Sequence, residues 1–292
     1  MRHSTFHSLL RCLLLLACAA LAPAAAQSPD GPGLVLDVQG AATIDGRGKA
    51  AILAGLAPGT EVSLAPGARM VVLDNASGRQ YELAGPGAFR WSGGRMEVVR
   101  PGQLAMREPT APAFRDVRVR TSRLAQASIA MRGNGDDGAV QLGFPVATWL
   151  TERPDAFRWT AVSDATGYRF ALTDGTGRAL HEARVKVNTV ELPAGVVLDP
   201  GRTYGWQVIA DLADGKSVEG WTEFGVASPE LRARIERARP AAGASFGDRV
   251  IHALLLEELG AREEARRLWA ALSAERPGDA DLAQRARGMF AF

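Results

Sequence analysis

The chain has 292 residues, of which 47% are hydrophobic and 23% are charged, with 34 Lys and Arg against 32 Asp and Glu. This composition is typical of a globular protein rather than a disordered one, and the length fits two or three domains. The near balance of charge argues against nucleic-acid binding through bulk electrostatics.

The N-terminus has the pattern of a secretory signal peptide over residues 1–26. A basic start and an apolar run of about ten residues precede the small-residue pair Ala24 and Ala26. The run is shorter than the roughly 20 apolar residues that a membrane helix needs. We therefore expect a periplasmic or secreted protein with no integral membrane segment. The alternative is a lipoprotein signal that ends at Cys18 and anchors the protein in the outer membrane.

Cleavage of this segment removes both cysteines, two of the four histidines and two arginines, so the net charge falls to zero. Without cysteine the mature chain has no thiol nucleophile, no Cys-ligated zinc and no disulfide. The remaining histidines, His181 and His252, have no catalytic or metal-binding motif around them, and we expect both to be structural. The carboxylates Asp155, Asp164 and Asp174 fall in turns, where Asp forms local hydrogen bonds. We therefore predict no catalytic residues, no cofactor, no metal and no enzymatic activity.

Residues 27–33 have the composition of a linker, and residues 34–143 then alternate short strand patterns with glycine turns. The strand patterns are LVLDV, TEVSL, ARMVVLD, RQYELAG, AFRWS and RMEVV, followed by FRDVRVRT at 114–121. A spacing of about ten residues per strand is typical of a compact antiparallel barrel or sandwich.

Two loops of this region are similar to ligand-binding motifs. The segment GRGKA has Ala50 where a phosphate-binding loop needs Ser or Thr, so it predicts a hairpin turn. The segment GNGDDG at 133–138 could offer oxygen ligands to calcium. An EF-hand loop requires a Glu shortly after its glycine, but no carboxylate follows this segment before Glu152. This segment therefore also predicts an exposed turn.

The region 34–143 resembles the FecR-type periplasmic domain. The resemblance rests on VQGAATIDGRGKAAILAGLAPGTEVSLAPGARMVVLDN, RQYELAGPG and VRTSRLAQASIAMRG. It implies a β domain that relays a signal from an outer-membrane receptor. A truncated regulator of this type is one functional alternative for the protein.

Residues 144–227 resemble a fibronectin type III or similar immunoglobulin-like module. The resemblance rests on FRWTAVSDATGYRFALTD and LDPGRTYGWQVIADLADGKSVEGWTEFGV, and it implies a seven-stranded sandwich. In YRFAL, Tyr168, Phe170 and Leu172 share one face, and this alternation predicts a sheet with one packed and one solvated face.

From residue 228 to residue 292 the hydrophobic period changes to that of helices. Four segments have it: ELRARIERA, DRVIHALLLEELG, REEARRLWAALSAERPG and DADLAQRARGMF. Gly260 and Gly278 are expected at helix C-termini, and Asp279 at the start of the last helix. The segment resembles a single tetratricopeptide repeat, which implies a helical cap or docking hairpin. That resemblance rests on the spacing of Gly260, Ala265, Trp269 and Pro277.

The pattern P-x-A-F-R-W occurs twice, at 86–91 and at 154–159, in flanks that do not match. The mismatch argues against a duplicated domain. Phe and Trp lie two residues apart, so both rings share one face of a strand and the arginine lies on the other. The pattern therefore predicts buried rings and exposed guanidinium groups in two different β domains.

Trp91, Trp149 and Trp221 are not all required by one core. An exposed Trp can stack on a sugar or anchor a partner protein, although strand alternation favours burial of all three. The fold class expected is mainly β with an α-helical C-terminus. The expected function is non-enzymatic protein–protein or cell-envelope binding, with an envelope protein or a cell-wall glycan as partner. The alternatives are a glycan- or peptidoglycan-binding accessory protein and the truncated FecR-type regulator.

Overall fold

The computed structural model describes residues 33–108 and 139–287. Over these residues the chain is mainly β with an α-helical C-terminus, which confirms the predicted fold class. The predicted signal peptide with Cys18, the strand predicted at 114–121 and the turn predicted at 133–138 lie outside the described residues. Among the helices that are described, none has both the length and the apolar character to cross a membrane.

The first β unit contains ten strands. They are β1 (Gly33–Gln39), β2 (Ala42–Ile44), β3 (Gly48–Lys49), β4 (Gly55–Leu56), β5 (Glu61–Leu64), β6 (Arg69–Asp74), β7 (Gln80–Ala84), β8 (Gly87–Trp91), β9 (Met96–Arg100) and β10 (Gln103–Arg107). They form two five-stranded antiparallel sheets, in the orders β10-β7-β6-β1-β4 and β3-β2-β5-β8-β9. The buried side chains that join the sheets include Val62, Phe89 and Trp91.

The GRGKA segment forms the hairpin between β2 and β3, as predicted. Thr43 pairs with Lys49, and Gly46 at the tip has a φ of +65°, which glycine adopts without strain.

The second β unit contains eight strands. They are β11 (Leu142–Phe144), β12 (Trp149–Leu150), β13 (Ala156–Trp159), β14 (Ala165–Asp174), β15 (Ala179–Val185), β16 (Thr189–Glu191), β17 (Thr203–Leu212) and β18 (Ser217–Val226). A three-stranded sheet, β11-β13-β16, packs on a five-stranded sheet, β12-β18-β17-β14-β15, with the core between them. All strand pairs are antiparallel except β12 with β18. Val140 and Leu142, which precede residue 144, also pack into this core.

The two P-x-A-F-R-W copies form strands β8 and β13. Their rings are all buried, with at most 3% of the surface of any one exposed: Phe89, Trp91, Phe157 and Trp159. Arg90 and Arg158 are exposed. The predicted arrangement is confirmed, and the rings pack in separate cores: Trp91 contacts Tyr81 edge-on, and Phe157 packs on Trp206.

The described C-terminal part of the chain forms four helices, α1 (Pro229–Arg237), α2 (Phe246–Glu258), α3 (Arg262–Glu275) and α4 (Ala280–Ala286). Gly260 follows α2 with a φ of +76°, and the Asp279 carboxylate accepts hydrogen bonds from two backbone N–H groups of α4, as predicted. The prediction for Gly278 is wrong. Helix α3 ends at Glu275, before Pro277, and Gly278 does not have a positive φ.

The helices share a hydrophobic core with the first β unit. Leu34 and Leu36 on β1 pack against α2 and α3, whereas Val35 between them packs inside the two-sheet core. A buried polar contact joins the same surfaces: Asp248 of α2, which is 1% exposed, accepts hydrogen bonds from Gln80 Nε2 at 2.7 Å and from Arg107 Nη2 at 3.1 Å. Strand β1 is therefore buried on both faces.

The helices also contact the second β unit, through Trp149 of β12 and Thr148 before it. The Trp149 backbone N–H donates to the Gly260 carbonyl at 2.9 Å. Thr148 Oγ1 accepts from the Glu263 N–H at 3.3 Å, at the start of α3, where the N-cap residue Ala261 makes no side-chain cap of its own. The helical segment thus contacts both β units.

Candidate binding face

The three tryptophans singled out in the sequence lie in three different environments. Trp91 is fully buried in the first core. Trp149 is partly buried and packs closely on two glycines, because a Cβ placed on Gly225 or Gly260 would come within 3 Å of its ring. Trp221 is 61% exposed, so the prediction of burial is confirmed for Trp91 and wrong for Trp221.

Trp221 lies on the outward face of the five-stranded sheet of the second unit, which we call the outer face. Strand alternation places Tyr168, Phe170 and Leu172 of β14 in the core, so the residues between them point outward. The pairing register then aligns the outward residues in rows across β18, β17, β14 and β15. One row is Trp221, Gln207, Ala171 and Glu182, and the next is Glu219, Ile209, Arg169 and Arg184.

The Trp221 ring lies beside Gly205, where β17 carries no side chain. A Cβ placed on Gly205 would lie 3.3 Å from the Trp221 Nε1 atom, so the indole leans over the bare backbone of the neighbouring strand. Glu219 and Glu223 flank Trp221 on the same strand and point outward with it. The result is an aromatic surface with carboxylates on both sides.

Two arginines face each other at the far side of the outer face. Arg169 and Arg184 are direct cross-strand partners on β14 and β15. Arg169 forms an ion pair with Asp211 at 3.0 Å, whereas the Arg184 side chain makes no hydrogen bond or ion pair with any residue that the structure describes. Like charges in directly opposite positions destabilise a sheet. Both arginines line an open depression of about 370 Å³, together with Glu182 and Gln207.

The two histidines lie in different environments. His181 lies on β15, partly buried, with its ring centroid 6.1 Å from that of Phe170. His252 lies in α2 and is 6% exposed. Burial in the first place, and the nearby Arg239 in the second, lower the pKa of His252 to about 4, against a hydrogen bond to the Ala238 carbonyl that raises it.

Asp174, one of the three carboxylates expected in turns, forms local hydrogen bonds. Asp174 accepts hydrogen bonds from the Thr176 side chain and backbone and from Arg178, and these bonds lower its pKa to about 2. Within residues 33–108 and 139–287, no group of three or more His, Cys, Asp or Glu side chains is arranged to hold a metal ion.

Sequence reasoning identified Trp221 but missed Gln207, Arg169 and Arg184. The alternation around Tyr168 does place Arg169 on the solvated side of its strand. The pairing of Arg169 with Arg184 depends on the register across the β14–β15 turn, which local patterns do not specify.

Comparisons with known proteins add no family to this description. No protein-family model matches the sequence, and no curated protein matches it. Among solved structures, CopC from Methylosinus trichosporium OB3b matches with 18% identity and a TM-score of 0.25, and the match covers 31% of this chain and 95% of the CopC chain. A β-1,2-glucanase from Parabacteroides distasonis is similar to 84% of this chain over 48% of its own length, at 12% identity and a TM-score of 0.20. At these TM-scores neither likeness bears on the fold or the function.

Proposed function

We propose that the protein is a non-enzymatic binding protein of the cell envelope and that the outer face is its binding surface. The observation that carries this proposal is the exposed ring of Trp221 in the middle of a regular strand. Export to the envelope is supported by the signal-peptide pattern of residues 1–26.

The packing of the fold does not explain why the Trp221 ring is exposed. Burial of a large apolar side chain stabilises a fold by roughly 1.5–3 kcal/mol, and the exposed Trp221 ring contributes little of this stabilisation. Of the other tryptophans of the second unit, Trp159 and Trp206 are buried in its core and Trp149 is partly buried. Tryptophan is enriched among the residues that dominate binding energies, because its large rigid ring loses little conformational entropy when it is covered.

The remaining elements support this face as a presentation scaffold. Strand β12 pairs with β18, the strand that carries Trp221, and Trp149 of β12 packs against Gly260 between α2 and α3. The helices in turn share a core with the first β unit. A binding surface on rigid, mutually packed elements is better pre-organised than one on loops.

Site-specific photo-crosslinking in intact cells tests the proposal. A photoreactive phenylalanine analogue replaces Trp221 in one variant and Val197, which is 74% exposed in the loop between β16 and β17, in a matched control. We expect crosslinked products at position 221 that are absent at position 197. Identical products at both positions would contradict the proposal.

A further inference from the structure

We propose that the ligand of the outer face is the glycan strand of peptidoglycan, a chain of N-acetylated sugars whose peptide substituents carry carboxylate groups. This inference rests on the proposed binding function and names its ligand. Three features of the face support it: one aromatic surface, an amide and carboxylates around that surface, and an opposed arginine pair beyond it.

Trp221 suits a sugar ring. The C–H groups on one side of a hexose form an apolar surface that packs on the face of an aromatic ring, while the hydroxyl groups point to the rim. The Trp221 indole is accessible, and it leans over the bare backbone of Gly205 on the neighbouring strand. Glu219 and Glu223, on either side, offer carboxylate oxygens that accept hydrogen bonds from hydroxyl groups.

Gln207, directly opposite Trp221, suits an acetamido group. Its Nε2 donates to Glu219 at 2.8 Å, and this bond orients the side-chain amide. The Oε1 atom makes no hydrogen bond with the described part of the chain and is therefore placed to accept from an amide N–H. The same amide lines the depression that continues toward β15.

The pair of Arg169 and Arg184 suits a carboxylate. Arg169 already has Asp211 as an ion-pair partner, so the guanidinium of Arg184, directly opposite Arg169, is the group without an anion in the described part of the chain. A ligand carboxylate in the depression would form charge-assisted hydrogen bonds with it. Arg184 and Trp221 lie three strand spacings apart, roughly 14 Å across the sheet. An extended oligosaccharide with an acidic substituent reaches both groups, whereas a single small molecule reaches only one of them.

The composition of the face argues against a protein partner. Protein interfaces are enriched in aromatic residues, Met and Arg and depleted in Lys, Asp and Glu. On the outer face Trp221 is the one large apolar side chain that is strongly exposed in the described part of the chain, and the carboxylates of Glu219 and Glu223 flank it. The other strongly exposed apolar residues lie elsewhere: Val98, Val99, Met106, Val187 and Val197.

Co-sedimentation of the full chain with purified peptidoglycan sacculi tests the inference. Chitin, which is N-acetylated but uncharged, and sacculi with amidated carboxyl groups serve as comparison ligands. We expect retention on native sacculi and about tenfold weaker binding after Trp221→Ala or after Arg184→Ala, the loss that corresponds to one good stacking or charged contact. The matched control for the arginine is Arg47→Ala, exposed on the β2–β3 hairpin, and that for the tryptophan is Val197→Ala. Thermal melts establish that each variant is folded.

The wild-type chain should bind amidated sacculi more weakly than native sacculi. Arg184→Ala should bind both equally, because this variant lacks the arginine that would contact the carboxylate. Equal binding of the wild-type chain to chitin and to native sacculi overturns the inference, as does retention that neither variant affects. Photo-crosslinks from position 221 to a protein, without retention on sacculi, refute the peptidoglycan ligand and leave the binding face standing. Absence of both crosslinks and retention refutes the face as well.

Discussion

The protonation of His252 provides a measurable test of how α2 packs. Its ring donates a hydrogen bond to the Ala238 carbonyl, and its Nδ1 atom is buried with no partner in the described part of the chain. A charged imidazolium at this position would lose its hydration and lie near the positive charge of Arg239. We therefore expect the folded protein to keep His252 neutral well below the pH at which a free histidine becomes charged.

The magnitude follows from the two pKa values. The pKa of His252 is about 4 in the folded protein, against 6.5 for an unperturbed histidine. Below pH 6.5 the unfolded chain takes up this proton before the folded one does, so the free energy of unfolding falls as the pH falls. The contribution is fully present above pH 6.5, and about 2 kcal/mol of it is lost by pH 5 and about 3 kcal/mol by pH 4.

Urea unfolding of the wild-type chain and of His252→Gln, at several pH values between 7.5 and 4, measures this term. Glutamine keeps a donor for the Ala238 carbonyl but does not ionise, so the difference in unfolding free energy between the two proteins isolates the histidine. We expect that difference to shift by about 3 kcal/mol in favour of the variant between pH 7.5 and pH 4. Val197→Ala, exposed and uncharged, should retain the wild-type pH dependence. A difference that stays constant over this range, or an NMR titration that gives His252 a pKa above 6, would refute the reasoning.

Other substitutions test the packing and the independence of the outer face from it. Trp221→Ala should change the free energy of unfolding by no more than about 0.5 kcal/mol, whereas Trp206→Ala, in the core beneath the same sheet, should lower it by about 3–5 kcal/mol. Chemical denaturation of the two variants measures both changes, and a similar loss in both would show that Trp221 is structural. Gly225→Ala should cost about 1–3 kcal/mol, because the new methyl group would lie 2.3 Å from the Trp149 ring, and an unchanged melting temperature would contradict this contact. Asp248→Ala should cost about 1–3 kcal/mol by leaving the buried Gln80 amide without its acceptor, and a loss below 1 kcal/mol in urea unfolding would contradict the buried network.

Much of the fold follows from local patterns in the chain. Alternation with period two and glycine turns predicted every described strand of four or more residues except β10, and the change of period near residue 228 predicted the helices. The spacing of Phe and Trp in P-x-A-F-R-W predicted which rings are buried, and Asp279 was recognisable as a cap. The relation of the chain to the FecR, fibronectin and tetratricopeptide families stays a prediction.

Local sequence patterns specify which side chains share a face of a strand or a helix, because backbone geometry sets that period locally. Which of those faces are covered depends on how the elements pack together. Trp91 and Trp221 both follow strand alternation, yet one is buried between two sheets and the other faces solvent. The opposition of Arg169 and Arg184 likewise arises from strand register, and the double burial of β1 arises from helices about 200 residues further along the chain. Such long-range contacts are selected by the summed packing of the whole molecule, which no short stretch of sequence specifies.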